Sequence, residues 1–270
     1  MRKADKIKLS IIVGVSLFAF VVGVVGCVDT SVQALPSTVN YSSEVNFVNL
    51  STGLGTATFS TYGSVVDQDS LNAGILSTKY NWSSPVSALS GAPTLGSTLP
   101  ANGSYLTEPA GKKAIIVTYS TGAQDTFKVS FDSNWKMRFF LFGDSSSASS
   151  RTLAKSAERY IWQTPGSTDG AGIFPSGETA FRFVNGCPDA SFIQVQIYAA
   201  ANDSLIDFAN VDYQEMASYY QLTAGNYYFL IVGDNNVYDS VAVSMGSMKR
   251  YTIISYGYNT NLQSKVLTDD

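Results

Sequence analysis

The 270-residue chain contains no histidine. That absence excludes Ser-His-Asp and Cys-His catalysis, zinc-protease motifs and every metal site built on imidazole. Cysteine is almost missing as well: Cys27 and Cys187 are the two. Charged residues make up only 14% of the chain. Beyond the N-terminus no long helical periodicity is found. What is abundant points one way. Sixteen Tyr and fifteen Phe, with many Val and Ile, favour strands, and 22 Gly with frequent Ser and Asn suit the turns between them.

Arg2, Lys3, Lys6 and Lys8 precede an apolar run from Leu9 to Gly26. The run ends in Val24-Val25-Gly26-Cys27, which resembles the lipobox of bacterial lipoprotein signal peptides. The resemblance implies cleavage before Cys27 and a thioether-linked lipid on its sulfur. Residues 1–26 are then the signal peptide and 27–43 a tether. An uncleaved membrane helix is the alternative, because Leu9–Gly26 lies at the short end of a membrane span of about 17–25 residues. Removing 1–26 takes away four basic residues and one Asp, leaving 13 basic and 20 acidic, a net charge of −7. Such a surface repels phosphate backbones, so nucleic acid is not an expected partner. With Cys27 lipidated, Cys187 has no cysteine to pair with, and no internal disulfide is expected.

The remainder contains an internal repeat. Setting Ser104–Gly143 on Ser218–Gly257, an offset of 114, gives nine identities in 40 positions. About one in sixteen is expected from ordinary usage, so the match is well above chance. Ser104-Tyr105, Ala110-Gly111 and Val129-Ser130 are among the identities. Further upstream, Asn46-Phe47-Val48-Asn49 matches Arg182-Phe183-Val184-Asn185 at an offset of 136. The first copy therefore carries 22 extra residues, placed as an inserted Ser/Gly/Pro-rich loop at about 75–102. Ile193, Val195 and Ile197 alternate with polar residues, as do Phe127, Val129 and Phe131. This period of two predicts half-buried strands, and their regular spacing predicts a sandwich. The expectation is an all-β chain of two tandem antiparallel sandwiches, at 44–143 and 178–270. A linker at 144–177 joins them, with an edge strand or short helix around Leu153–Trp162. Gly111 and Gly225 hold matching hairpin positions and are expected to take positive φ. Each copy is expected to fold alone.

The segment Phe181-Arg182-Phe183-Val184-Asn185-Gly186-Cys187-Pro188-Asp189-Ala190 resembles the opening of the domain of unknown function 4397 family. Tyr219, Ala224-Gly225-Asn226-Tyr227 and Lys249-Arg250-Tyr251-Thr252-Ile253 continue the likeness across about 180–258. The first copy shares it more weakly, through the repeat, and lacks the Pro-Asp turn at Ser51–Gly55. Cys187 stands where the family has a smaller residue. The resemblance implies an immunoglobulin-like or transthyretin-like sandwich on an exported protein and implies no established activity.

No catalytic set emerges. Asp234-Asn235-Asn236 with Asp239 is oxygen-rich, yet it sits between strands where such residues make turns. Asp67 with Asp69 and Asp203 with Asp207 read as solvated loop charge, and Cys187 as a structural residue. Three Asp-Ser-apolar tripeptides, beginning at Asp69, Asp203 and Asp239, resemble an O-glycosylation acceptor of the Bacteroidota. No metal, cofactor or enzymatic activity is expected. Tyr80-Asn81-Trp82 in the inserted loop offers a ligand-stacking pair, Tyr80 and Trp82, whose bland reading is a plug against the sandwich. The sequence thus predicts an outer-membrane lipoprotein of the bacterial cell envelope, structural or adhesive in role, with glycans or other envelope proteins as partners. A carbohydrate- or polymer-binding lipoprotein is the alternative. Cys27→Ala is expected to abolish incorporation of a palmitate analogue; label persisting in that variant would refute the anchor.

Overall fold

In a computed structural model, described over residues 42–66, 78–80, 87–89, 91–160 and 175–269, most of the described residues are strand and none is α-helix. These residues fall in one compact unit, Tyr41–Asp270. The first half holds β1 (Ser42–Thr52), β2 (Ala57–Val66), β3 (Thr78–Tyr80), β4 (Ser87–Ala88), β5 (Thr98–Leu99), β6 (Leu106–Pro109), β7 (Gly111–Tyr119), β8 (Gln124–Phe131), β9 (Trp135–Asp144) and β10 (Thr152–Tyr160). The second holds β11 (Glu178–Gly186), β12 (Ile193–Ala199), β13 (Ser204–Val211), β14 (Tyr220–Thr223), β15 (Gly225–Val232), β16 (Tyr238–Met245), β17 (Arg250–Tyr256) and β18 (Gln263–Thr268).

Four sheets result. Two are inner, ordered β10-β9-β1-β5 with β6 also on β1, and β14-β11-β17-β18. Two are outer, ordered β3-β2-β7-β8 with β4 on β2, and β13-β12-β15-β16. Pairing is antiparallel except at the centre of each inner sheet, where β1 lies parallel to β9 and β11 parallel to β17. Phe47 faces Phe139 in one and Phe183 faces Ile253 in the other. Those partners are related by 136 and 114, the two offsets of the sequence repeat.

The burial pattern explains the layers. Strands of the outer sheets alternate, as β16 does, with one side toward a core and the other toward water. Strand β1 is instead buried at almost every position. Its odd residues Val45 and Phe47 join a core with Phe59, Ile115 and Val117 of the outer sheet. Its even residues Val48 and Leu50 join Phe140, Phe142, Val184, Ile254 and Leu267. The last three belong to the second half. In that half Phe181, Phe183, Val195, Phe229 and Ile253 form the corresponding sandwich core. The two inner sheets therefore pack on each other, and the seven side chains between them contribute about 1.5–3 kcal/mol each when buried.

The stretch 144–177 contains an edge strand where one was expected, around Leu153–Trp162: β10 pairs with β9 from Thr152 to Tyr160 and ends its sheet. A bulge between Ala157 and Arg159 interrupts the pairing. The inserted loop also joins the fold in part: Leu89 and Leu99 enter the first core, and β5 pairs with β1. Gly96 of that loop, at φ +72, lies so close to the Tyr256 ring that a Cβ would stand 2.3 Å from it.

Independent folding of the second half now meets a physical obstacle. Residues 178–270 alone would expose Val184, Ile254 and Leu267, the surface that the first half covers. This fragment is expected to give a collapsed, poorly dispersed amide spectrum, unlike the detergent-solubilised full chain. Sharp, dispersed peaks from a monomeric fragment would show that the shared layer is dispensable.

Candidate functional site

The densest polar cluster lies in that shared layer. Arg138 projects from β9 toward the second half and is fully buried, as is its ion-pair partner Asp269, which follows β18. Its Nε donates to Asn46 Oδ1 at 3.0 Å, and Nη2 to the Thr268 carbonyl at 3.0 Å. Arg182 on β11 does the converse. Its Nη2 donates to Glu158 Oε1 at 2.5 Å, Nη1 to the Ser156 hydroxyl, and Nε to Thr252 Oγ1 at 3.0 Å. Glu158 sits in the bulge of β10, so it belongs to the first half.

The two carboxylates are equivalent. Ala157 pairs with Met137 and Thr268 with Tyr251, so Glu158 and Asp269 follow matching residues of matching strands. Each half thus gives its carboxylate to the other half's arginine. Tyr219 joins the two ends: its hydroxyl lies 2.7 Å from Glu158 Oε2 and 2.8 Å from Asp269 Oδ2. The Arg182 and Arg250 guanidinium carbons lie 4.8 and 5.4 Å from the Tyr219 ring centre. Arg250 Nη1 also donates to the Glu158 carbonyl at 2.5 Å. Tyr105, the repeat partner of Tyr219, has Arg138 5.5 Å from its own ring centre.

Burial works against the charge on Arg138, but Asp269, Tyr105 and Glu158 outweigh it and hold the guanidinium pKa above its usual value. The same contest, won chiefly by Glu158, raises Arg182. Burial first, then Asp269 and Glu158, push Tyr219 far above the phenol range, so it remains a proton donor. These groups are inaccessible and hydrogen-bonded to one another. Their chemistry is to fix two sheets in register.

Elsewhere, a cleft of about 460 Å³ opens at the end of β7 and β8, bordered by Gly111, Phe131, Asp132 and Trp135. Asp132 there is paired with Lys155 at 2.8 Å. Gly111 has φ +116, and nothing lies within 4 Å of where its Cβ would be. Gly225 does not share the positive φ expected of it. It starts β15 opposite Met245, with the Tyr227 ring 3.7 Å from its missing Cβ. The glycine requirement therefore attaches to Gly111.

Cys187 is buried, and burial first, then Asp189, push its thiol up to about 12, far from a thiolate. Asp234 accepts from Ser191 N and Oγ, both at 3.0 Å, and closes a turn. Among the described residues no three Asp, Glu or Cys side chains gather as a metal site. Cys27 and Trp82 lie outside the described residues; Tyr80 ends β3, with its side chain outside them. The sequence reading missed Arg138, Arg182, Glu158 and Asp269. One available signal was the nearly unbroken apolar run Met137–Phe142, which marks a strand covered on both faces and makes Arg138 within it anomalous.

The geometry defines an all-β protein of stacked sandwiches. Residues 169–270 match the model of the family described as Domain of unknown function (DUF4397). No curated protein sequence matches the chain. Among solved structures, similarity is found to a leucine-rich repeat protein from Bacteroides thetaiotaomicron VPI-5482, at 10% identity and TM-score 0.21, over 78% of this chain and 26% of that one. The chain thus spans about a quarter of that protein's length. A structure titled as alpha-glucan binding by a streptococcal virulence factor matches at 10% identity and TM-score 0.23, over 84% and 96%. A putative cell adhesion protein from Bacteroides uniformis ATCC 8492 matches at 9% identity and TM-score 0.20, over 85% and 99%.

Removing one member of a buried pair strands the other. Arg138→Met in the full chain is expected to lower unfolding free energy by about 3–5 kcal/mol, with Arg138→Met/Asp269→Leu recovering part of the loss. Urea denaturation measures both. A single variant as stable as wild type would remove the ion pair from the account.

Proposed function

We propose that this chain is a lipid-anchored cell-envelope protein that displays a rigid, non-catalytic adhesive module. The observation that carries this reading is the reciprocal pairing of Arg138 with Asp269 and Arg182 with Glu158. Buried charge committed to holding two sandwiches together suits an element that must keep its shape under load. It is poor material for turnover, since substrate has no access to it. The lipobox-like Val24–Cys27 supplies the anchor in this reading, and the outer sheets supply the contact surfaces.

The alternative, binding of carbohydrate or another polymer, draws on a specific feature. Leu205, Phe208 and Tyr238 on the second outer sheet are 52%, 59% and 69% exposed. Large apolar side chains that remain this exposed on one sheet mark a contact surface.

Deleting the gene in its own host is expected to reduce adherence of intact cells to surfaces severalfold. Complementation should need the lipidated form, with a Cys27→Ala copy failing to restore it. Adherence unchanged by the deletion would overturn the adhesive reading.

A further inference from the structure

The exposed apolar residues lie on one organised surface. In the sheet β13-β12-β15-β16, Val195, Ile197, Phe229 and Ile231 point into the core, so their neighbours point to solvent. The register then fixes what stands beside what. Tyr198 of β12 is opposite Leu205 of β13 on one side and Tyr228 of β15 on the other. Tyr228 is in turn opposite Ala242 of β16. The next row runs Phe208, Gln196, Leu230, Ser240.

The Tyr198 and Tyr228 rings are stacked, with centres 4.7 Å apart and planes within 3°. Neighbouring strands are about 4.8 Å apart, so the rings stand upright, one on each strand. One face of Tyr228 is covered by Tyr198. Its other face is turned toward β16, where Ala242 offers only a methyl group and is exposed. The result is a notch: an aromatic wall, a methyl floor, and the Ser240 and Ser244 hydroxyls to either side along β16. Along β12 the polar groups are aligned. The Tyr198 hydroxyl donates to Gln196 Oε1 at 2.8 Å, and Gln196 Nε2 donates to Gln194 Oε1 at 2.8 Å.

Charge decides what fits. The rows opposite Gln194, Gln196 and Tyr198 contain no acidic or basic side chain. Asp207 and Asp239 of the same sheet are turned away: one acts on Tyr220, and the other accepts from Ser264 at 2.6 Å. At the rim, Asp203 in the turn between β12 and β13 is exposed and adds negative charge, which disfavours an anion. A cation finds no counter-charge among those rows, and a wholly apolar partner would strand the amides and hydroxyls. An uncharged molecule with an apolar face and a hydroxyl-bearing edge satisfies both halves of the surface.

We propose that this sheet face binds a neutral glycan, one sugar ring stacking on Tyr228 in the notch above Ala242 beside the Ser240 and Ser244 side chains, while hydroxyls of a neighbouring ring meet the Gln196–Gln194 amides across the sheet. The inference rests on the carbohydrate-binding alternative and names its site and the chemistry of its ligand.

Affinity electrophoresis of the detergent-solubilised full chain tests it, in gels containing dextran, laminarin or galactan, with alginate as the acidic polymer. At least one neutral polysaccharide retards the protein and alginate does not. Tyr228→Ala, which removes the wall, and Ala242→Leu, which fills the notch, each weaken the apparent Kd about fivefold or more, the size of one aromatic contact. Thermal melts identify any variant that is unfolded, and the two substitutions act by opposite changes of volume. Retardation by no neutral polymer, retardation unchanged in both variants, or equal retardation by alginate overturns the site. So does sedimentation showing a dimer that Ala242→Leu dissociates, since a second copy would then cover the face. Adherence of the deletion strain is scored alongside. Lost adherence without glycan retardation leaves the adhesive reading standing and removes this site; adherence equal to wild type removes the adhesive reading itself.

Discussion

The exchange of carboxylates between the two halves is the constraint around which the rest is arranged. Arg138 and Arg182 are buried where desolvation of a lone guanidinium would be prohibitive. Each is tolerable only because the opposite half delivers an anion. An apolar layer of the same shape would hold the sheets together as strongly or more so. What the ions add is selection among ways of stacking them. Phenylalanine and leucine faces can slide over one another at little cost. Two arginines that must each reach one carboxylate, with Tyr219 spanning both, accept a single alignment.

That requirement explains the irregularities of the inner sheets. The bulge at Ala157/Arg159 lies at Glu158, so the break in pairing is where the carboxylate is delivered across the layer. Asp269 achieves the same placement by following its strand, with its N–H bonded to the Arg250 carbonyl at 2.9 Å. The parallel pairing of β1 with β9 places Asn46 beside Arg138, and that of β11 with β17 places Thr252 beside Arg182. The arginine has changed strands between the halves while its neighbour's role as acceptor is kept.

The outer sheets were legible in the sequence because their physics is local. Ile193, Val195 and Ile197 announce a strand with one wet face, and the structure gives them one. The repeat offsets likewise announced that Phe47 and Phe183 hold equivalent places. The inner layer was opaque for a different reason. Periodicity tells which residues share a face; it does not tell what covers that face. Arg182 amid Phe181 and Phe183 is indistinguishable from a solvent-facing residue unless Glu158 is known to meet it. Arg138 finds Asp269 131 positions later, and no spacing rule reaches so far. Tyr105 and Tyr219 were matched by the repeat, yet a matched tyrosine has no role until its hydroxyl is placed. The site at Tyr228 is legible only once the register sets Ala242 beside it.

The distance from Arg138 to Asp269 also has a temporal meaning. Chains are made from one end to the other, and N-terminal parts tend to organise first. When β9 is available its arginine has no anion, because the strand that precedes Asp269 comes last among the strands described. The first sandwich can gather its own core but must keep its inner face open to water. Arg182 finds Glu158 on a strand made before it, whereas only the arrival of β18 gives Arg138 its anion and Tyr219 its second carboxylate. A chain interrupted before that strand keeps Arg138 without its carboxylate, and the inner face around it stays wet.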